Sequence, residues 1–181
     1  MRIVSGSHKG RRLHPPKNLP VRPTTDFAKE SLFNVLNNQF DFTEMKVLDL
    51  FSGTGSISLE FASRGCPQVD AVDMHAACLK FLREISGQFG FDGIQTIKAD
   101  VFSFLERCKQ PYDLIFADPP FDMPRKETIV ELVFKHALLT ENAWLIVEHG
   151  ADTSFDTHPH FEQKRRYGHV NFSFFGMSVN E

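Results

Sequence analysis

The chain has 181 residues, of which 41% are hydrophobic and 24% charged, and its formal net charge is −3 at pH 7. This length corresponds to about one domain, and such a chain buries about 70% of its unfolded surface, so a core can form without disulfides or metals. No apolar run approaches the roughly 18 residues of a membrane span and the start lacks a secretory segment, which excludes the membrane, collagen-like and disordered classes and predicts a cytoplasmic protein.

The three cysteines, Cys66, Cys78 and Cys108, form no close pair along the chain. An odd number of cysteines at wide spacing argues against a disulfide framework or a zinc site. We therefore expect buried thiols in a reducing cytosol.

The basic residues are unevenly distributed. Residues 1–30 carry seven basic and two acidic residues, a net charge of +5, whereas residues 31–181 carry a net charge of −8. A basic segment on an acidic body favours a polyanionic partner, although charge alone leaves open that the segment is only solvated.

In chain order, the first predicted element is an irregular arm. Residues 1–24 contain four prolines, and residues 2–4 and 12–14 could pair as a small hairpin. The arm leads into a predicted helix at residues 25–40, whose apolar face consists of Leu32, Phe33, Leu36 and Phe40.

From residue 46 onward, short apolar runs alternate with amphipathic segments. The apolar runs predict five strands, at residues 46–51, 68–73, 94–99, 112–117 and 142–148. The segments between them have apolar residues at helical spacing and predict four helices, at residues 56–64, 75–89, 101–108 and 125–138. This alternation predicts βαβ units and a parallel sheet with helices on both faces.

After residue 148 the alternation stops. Residues 163–167 and 170–177 are separated by Gly168 and His169, and they predict an antiparallel hairpin at the edge of the sheet. In this hairpin, Phe172, Phe174 and Phe175 could partly face a partner. The predicted fold class is therefore α/β, with a mostly parallel seven-stranded sheet and an antiparallel C-terminal hairpin.

Acidic residues stand at the ends of all five predicted parallel strands. They are Asp49, Asp73, Asp100, Asp118 and Glu148. Open parallel sheets bind ligands at the carboxyl ends of their strands, near the point where strand order reverses. Any one of these acids could be a solvated loop residue, but five at one edge predict a site lined with hydrogen-bond acceptors.

A glycine-rich turn, Asp-Leu-Phe-Ser-Gly-Thr-Gly-Ser at residues 49–56, follows the first strand. Glycine lets the backbone approach a ligand and adopt positive φ. Ser58 stands where a dinucleotide fingerprint has its third glycine, and the chain lacks a Gly-Lys-Ser/Thr P-loop. These features favour a nucleoside-like ligand without a pyrophosphate.

The acids narrow the choice of ligand. Asp49 could hold a cationic amino group, Asp73 could bind ribose hydroxyls, and Asp100 could accept from an adenine amino group. S-adenosylmethionine carries all of these donors. The predicted cofactor-binding residues are Asp49, Phe51, Ser52, Gly53, Thr54, Gly55, Asp73, Met74, Asp100 and Val101.

A second motif, Asp118-Pro119-Pro120-Phe121, follows the fourth strand. Because the prolines donate no N–H groups, this segment presents a carboxylate and carbonyls that can accept both hydrogens of a planar exocyclic amine. Such bonds would draw the nitrogen lone pair out of conjugation and point it at an incoming methyl group, while the phenyl ring stacks on the base. An ordinary Pro-Pro turn is the alternative, but the aspartate before the two prolines and the phenylalanine after them favour a catalytic role for all four residues of the motif.

These motifs resemble those of the class I methyltransferases and, within them, the RsmD family of small-subunit ribosomal RNA (guanine-N2) methyltransferases. The matching stretches are residues 2–6, 9–13, 22–26, 30–34, 49–60, 118–121 and 147–148. The Asp-Pro-Pro-Phe motif is shared by many nucleic-acid and some protein methyltransferases, so the amino-terminal stretch narrows the choice. The sequence departs from the family pattern at Phe27 and Lys29, where arginines are usual, and at His75, where an acid or amide is common.

The resemblance implies a Rossmann-like class I methyltransferase domain at residues 25–181, preceded by the basic arm at residues 1–24. It implies S-adenosylmethionine as the methyl donor, S-adenosylhomocysteine as the product, no metal, and ribosomal RNA or an assembling small subunit as the partner. We expect a monomer with no membrane association. The predicted RNA-binding residues are Arg2, Lys9, Arg11, Arg12, Arg22 and Thr24.

Three other functions remain open at this point. A DNA adenine or cytosine amino-methyltransferase would use the same motif, but only 60 residues follow Phe121, which leaves little room for a region that reads duplex DNA. A non-catalytic RNA-binding assembly factor could keep the fold, although both motifs are whole. A small-molecule or protein methyltransferase would not explain the basic arm.

Overall fold

A seven-stranded sheet organises the chain in the computed structural model, which describes residues 1–19 and 24–177. The strands are β1 (Lys46–Leu50), β2 (Gln68–Asp73), β3 (Ile94–Lys98), β4 (Tyr112–Ala117), β5 (Leu139–His149), β6 (Phe161–Tyr167) and β7 (Val170–Phe175). The helices are α1 (Asp26–Asn37), α2 (Ser56–Ser63), α3 (Ala76–Phe89), α4 (Val101–Arg107) and α5 (Glu127–Lys135), with a short 3-10 turn at Phe42–Glu44.

The strand order is β3-β2-β1-β4-β5-β7-β6. Strands β1 to β5 are parallel, whereas β7 is antiparallel to β5 and β6 is antiparallel to β7. The predicted fold class is thereby confirmed. The chain runs outward from β1 to β3 and then returns to β4 on the other side of β1, so the carboxyl ends of β1 and β4 border the crevice in which such sheets bind ligands.

Helices cover both faces of the sheet because successive strand residues point to opposite sides. On β1, Val47 packs with Phe61 in the core under α1 and α2, whereas Leu48 packs with Leu105 in the core under α4 and α5. Helix α3 adds Leu82 to a third cluster beside α2. Strands β1, β2 and β4 are thus buried on both sides, whereas the edge strand β3 is partly exposed. Only the ends and loops of the central strands are free to form a site.

Element bounds depart from the predictions where non-glycine residues adopt positive φ, which interrupts regular structure. Arg125 (φ +60°) precedes α5 and Ala137 (φ +51°) follows it, so the helix is shorter than predicted. Strand β5 begins three residues earlier than predicted. Asn142 (φ +61°) lies within it, where a bulge interrupts the pairing with β4.

The prediction that Phe172, Phe174 and Phe175 could face a partner is wrong. All three side chains are fully buried. The reason is the strand order: β7 lies between β5 and β6, so it is not the edge strand, and core clusters cover both of its faces.

The amino-terminal arm packs on the domain. Arg2 and Arg12 form a single antiparallel bridge, consistent with the predicted small hairpin, and Ile3 and Leu13 are buried. At Gly6 (φ +83°), an added Cβ would lie 1.8 Å from the Ser63 carbonyl oxygen at the end of α2. Only glycine allows the arm backbone to approach the helix this closely.

A buried ion pair anchors the arm. Glu60 of α2 accepts hydrogen bonds from the backbone N–H groups of Val4 (2.8 Å) and Ser5 (3.0 Å). Lys29 of α1 lies 3.5 Å from the same carboxylate and donates to the Arg2 carbonyl oxygen at 2.5 Å. Lys29 is therefore committed to holding the arm and does not face solvent.

None of the helices within the described ranges is long and apolar enough to cross a membrane.

Candidate active site

The glycine-rich turn connects β1 to α2 through three residues in the left-handed region of the backbone. Phe51, Gly53 and Gly55 have φ values of +59°, +52° and +82°. A Cβ at Gly55 would lie 2.3 Å from the Leu82 side chain of α3, so only glycine lets the turn pack against that helix. The turn is a rigid feature of the domain because both its conformation and its packing depend on glycine.

Ser52 leaves a polar group unused in this turn. Its N–H donates to the Val72 carbonyl oxygen at 3.1 Å, but its Oγ is buried and has no hydrogen-bond partner among the described residues. A ligand bound at the turn would therefore find a free hydroxyl. The neighbouring Thr54 is buried, with its hydroxyl 3.9 Å from the Met1 sulfur of the arm.

Asp73, at the end of β2, holds the turn in place. Its Oδ2 accepts from the Gly53 N–H at 2.8 Å, and its Oδ1 accepts from the His75 N–H at 2.8 Å and lies 3.0 Å from the His75 ring nitrogen Nδ1. A carboxylate has about four acceptor sites, so one remains for a ligand hydroxyl. Met74 beside it is 60% exposed and could cover a flat ring.

Asp49 is buried at the bottom of the site. Its Oδ2 accepts from both the N–H (3.1 Å) and the hydroxyl (2.5 Å) of Ser58. Burial, with a smaller effect of the Asp73 charge, raises the pKa of Asp49 to about 7. In the sequence Ser58 stands out only as a missing glycine, so its support of Asp49 was overlooked. The predicted contact of Asp49 with a ligand stays a prediction.

The third predicted cofactor position follows β3. Asp100 is exposed and caps α4 by accepting from the Ser103 N–H at 2.9 Å. Its second carboxylate oxygen makes no bond within the described ranges, so it can accept from a ligand. Val101 is buried in the core, which leaves its backbone as the part that could meet a ligand.

The Asp118-Pro119-Pro120-Phe121 segment lies directly beside the turn. The Asp118 N–H donates to the Leu50 carbonyl oxygen at 3.3 Å, which ties the end of β4 to the end of β1. Pro119 is buried and Pro120 is exposed, whereas Phe121 is 44% exposed. The four residues therefore border the crevice with a carboxylate and an accessible aromatic ring.

At this edge the charges of two carboxyl groups act on a third. Burial, the Glu148 charge and the Asp49 charge, in that order, raise the pKa of Asp118 well above its usual value. Burial also raises the pKa of Glu148 to about 7, although a hydrogen bond from the Thr24 hydroxyl (3.1 Å) partly opposes this. Because like charges are costly here, a cationic ligand would be favoured at this position.

A buried lysine supports the segment, and nothing in the sequence pattern indicated it. Lys126, at the start of α5, is almost fully buried, and its ammonium group donates to the Phe121 carbonyl oxygen and to Thr153 Oγ1 (3.4 Å). Arg125 in the left-handed region immediately precedes it. The bond to the Phe121 carbonyl restricts the position of the exposed aromatic ring.

The predicted RNA-binding residues fall in three different environments. Arg2 is half-exposed and lies 3.3 Å from Asp26. Thr24 is buried with its hydroxyl on Glu148, so it faces the carboxylates. Arg22 lies outside the described residues. The remaining three are exposed and form no ion pair within the described ranges: Lys9, Arg11 and Arg12.

The chain is similar to proteins that are named as ribosomal RNA methyltransferases. A family model described as "Conserved hypothetical protein 95" matches residues 1–176. The "Ribosomal RNA small subunit methyltransferase D" of Haemophilus influenzae is 32% identical over 160 residues, which cover 82% of this chain and 78% of that protein. The "Putative rRNA methyltransferase YlbH" of Bacillus subtilis is 30% identical over 168 residues, which cover 82% of each chain.

Two solved structures share the whole architecture. The "Putative methyltransferase yhhF" from Escherichia coli has a TM-score of 0.86 and 27% identity, with 99% of each chain covered. A putative methylase from Haemophilus influenzae has a TM-score of 0.78 and 26% identity, with 96% of each chain covered.

Proposed function

We propose a function from one premise: the chain belongs to the family described as Conserved hypothetical protein 95, the RsmD family, and has a methyltransferase fold. The proposed activity is transfer of a methyl group from S-adenosylmethionine to the exocyclic N2 amino group of a guanine in small-subunit ribosomal RNA. The methyltransferase class follows from the family. The donor, the RNA substrate and the guanine N2 position are the proposal.

One observation carries the proposal. The 3.3 Å hydrogen bond from the Asp118 N–H to the Leu50 carbonyl oxygen ties the segment 118–121 to the start of the glycine-rich turn, at the point where the strand order reverses. A methyl donor held by the turn and an amine held by the segment would therefore meet in one crevice.

The residues of the turn suit S-adenosylmethionine. The unpaired Ser52 hydroxyl, the remaining acceptor site of Asp73 and the free oxygen of Asp100 match the ligand's hydroxyl and amino donors. The raised pKa values of Asp118 and Glu148 indicate a position that favours a positive charge, as the sulfonium provides. When bound, the donor supplies an electrophilic methyl group.

The chain's own groups would orient the amine. The Asp118 carboxylate and the Pro119 carbonyl oxygen would each accept one amine hydrogen, which directs the nitrogen lone pair along the line of methyl transfer. Phe121 would stack on the guanine after the base leaves the RNA stack, a step that costs a few kcal/mol. Alignment supplies most of the rate enhancement, and no strong base is needed because the amine proton leaves after transfer.

The arm supports RNA as the substrate. It is fixed to the domain by the Lys29–Glu60 pair, so its exposed charges have a defined position. Replacing three exposed basic residues of the arm with glutamine should reduce the slope of log Kd against log salt concentration by about 0.7–0.9 for each phosphate that is no longer neutralised. The residues are Lys9, Arg11 and Arg12. An unchanged slope would show that the arm does not bind phosphates.

The function is tested by incubating the full chain with methyl-labelled S-adenosylmethionine and unmodified small-subunit ribosomal RNA, either naked or as 30S particles. The expected product after nuclease digestion is labelled N2-methylguanosine at one position. Label on adenine or cytosine, or on a DNA duplex offered in parallel, would instead support a DNA-type amino-methyltransferase. Calorimetric binding of S-adenosylmethionine without any methyl transfer would support a non-catalytic assembly factor.

A further inference from the structure

The edge strand β6 places an arginine in line with the candidate site. Glu148 of β5 pairs with Phe172 of β7, and Phe172 pairs with Arg165 of β6. Directly paired residues of antiparallel strands point to the same face, so Arg165 and Glu148 share the face covered by α1. Two strand spacings separate them, about 10 Å between backbones.

An exposed aromatic pair lies on the same face. Phe27, in the first turn of α1, is 65% exposed, and its ring meets the Tyr167 ring edge to face at 6.2 Å. The start of α1 is tied to the site because Thr24 donates to Glu148. A large apolar ring held open to solvent beside a site is a feature of base-stacking surfaces.

The charged groups around this pair include an arginine without an acidic partner. Arg165 is exposed, and its Nε donates to the Gln163 side chain at 3.1 Å. In the described part of the chain no carboxylate pairs with it. Asp26, next to Phe27, lies 3.3 Å from Arg2, so its charge is compensated, whereas the exposed Glu30 one turn along α1 forms no ion pair among the described residues.

We propose that Phe27, Tyr167 and Arg165, here termed the flanking patch, bind the RNA nucleotides next to the target guanine. Phe27 stacks on an unpaired base with Tyr167 behind it, and Arg165 contacts the adjoining phosphate. The exposed ring favours a nucleic acid, since every base offers a flat face, and the unpaired guanidinium fits a phosphate. This inference rests on the proposed function, because it takes RNA as the substrate.

The test compares variants in binding to an unmodified small-subunit ribosomal RNA fragment. Phe27→Leu keeps an apolar side chain but removes the flat face, and should weaken binding about tenfold, within the range expected for the loss of one stacked base. Phe27→Trp should retain binding. Arg165→Gln should reduce the salt slope by about 0.7–0.9. Saturating RNA should restore the wild-type kcat in each case, since the patch does not touch the reacting atoms.

Arg166 is the matched control. It is also exposed and neighbours Arg165, but it pairs with Asn171 and so points to the opposite face of the sheet. Arg166→Gln should leave the salt slope nearly unchanged, and an equal effect of both substitutions would overturn the assignment to one face. Unchanged RNA binding by Phe27→Leu would also overturn the proposal. If this variant binds the RNA fragment normally and only its methylation of 30S particles decreases, the patch contacts a ribosomal protein instead. If the wild-type chain neither binds nor methylates RNA, the proposed function itself fails.

Discussion

Replacing Asp118 with asparagine tests the centre of the proposed mechanism. Asparagine has nearly the same shape, and the backbone N–H that donates to the Leu50 carbonyl oxygen remains. The substitution therefore removes a charge without moving the segment. The crevice loses a carboxyl group whose own pKa is raised by burial and by the charges of Glu148 and Asp49.

The expected loss is about 10²–10³ in kcat, by analogy with removal of one preorganised hydrogen-bonding group, which corresponds to roughly 2.7–4 kcal/mol. The amide can still accept one hydrogen bond through its oxygen, so the loss should lie toward the lower end, and Asp118→Ala should lie toward the upper end. Affinity for S-adenosylmethionine should fall much less than kcat, because Glu148 and the turn residues remain to bind the donor.

Steady-state methylation at saturating donor and RNA gives kcat, and calorimetry gives the affinity for the donor. A kcat within threefold of the wild-type value would refute a role of Asp118 in orienting the amine. A loss of donor affinity as large as the loss in kcat would place the side chain in the donor site.

Three further outcomes follow from buried groups. The unfolding temperature should fall as pH rises from about 5 to 8. Asp49 and Glu148 titrate near 7 in the folded chain but near 4 in the unfolded chain. The folded state therefore holds more protons in this window and loses stability as they dissociate. Urea unfolding should show that Lys29→Met costs about 3 kcal/mol, because Arg64 is then the remaining cationic partner of the buried Glu60 carboxylate among the described residues. Gly55→Ala should abolish donor binding in calorimetry and lower stability by about 1–3 kcal/mol, because the added Cβ meets the α3 side chain at 2.3 Å.

Each of these outcomes has an internal control. Asp49→Asn should reduce the pH slope, and an unchanged slope would assign it to other groups. The double variant Lys29→Met/Glu60→Gln should be more stable than Lys29→Met alone. If the losses in unfolding free energy of the two single variants simply add, the ion pair is contradicted. Gly10 has nearly the same positive φ (+85°) as Gly55, but no atom lies within 4 Å of an added Cβ. Gly10→Ala therefore measures the effect of backbone strain without the clash. Equal losses at Gly10 and Gly55 would remove the packing argument.

Local patterns in the sequence were sufficient to predict the architecture. Alternating apolar runs and helical stripes indicated five parallel strands and the final hairpin, because burial on one or both faces imposes a period of two or 3.6 on the chain. The glycine turn and the Asp118-Pro119-Pro120-Phe121 segment were recognisable for a similar reason, since their backbone requirements restrict residue type at fixed spacing. The bounds of α5 and β5 were not predicted, because Arg125 and Asn142 adopt positive φ without a sequence signal.

Only the tertiary structure decided which distant groups share an environment. Thr24 and Glu148 are 124 positions apart, yet one donates to the other, and Lys29 meets Glu60 because α1, α2 and the arm converge. Phe172 is buried because β6 lies outside β7, and that same order puts Arg165 in line with the crevice. Side-chain periodicity records which face of an element is buried, but it carries no information about which element covers that face. The strand order and the docking of the arm supply that information, and with it the charge, burial and partners of the candidate site.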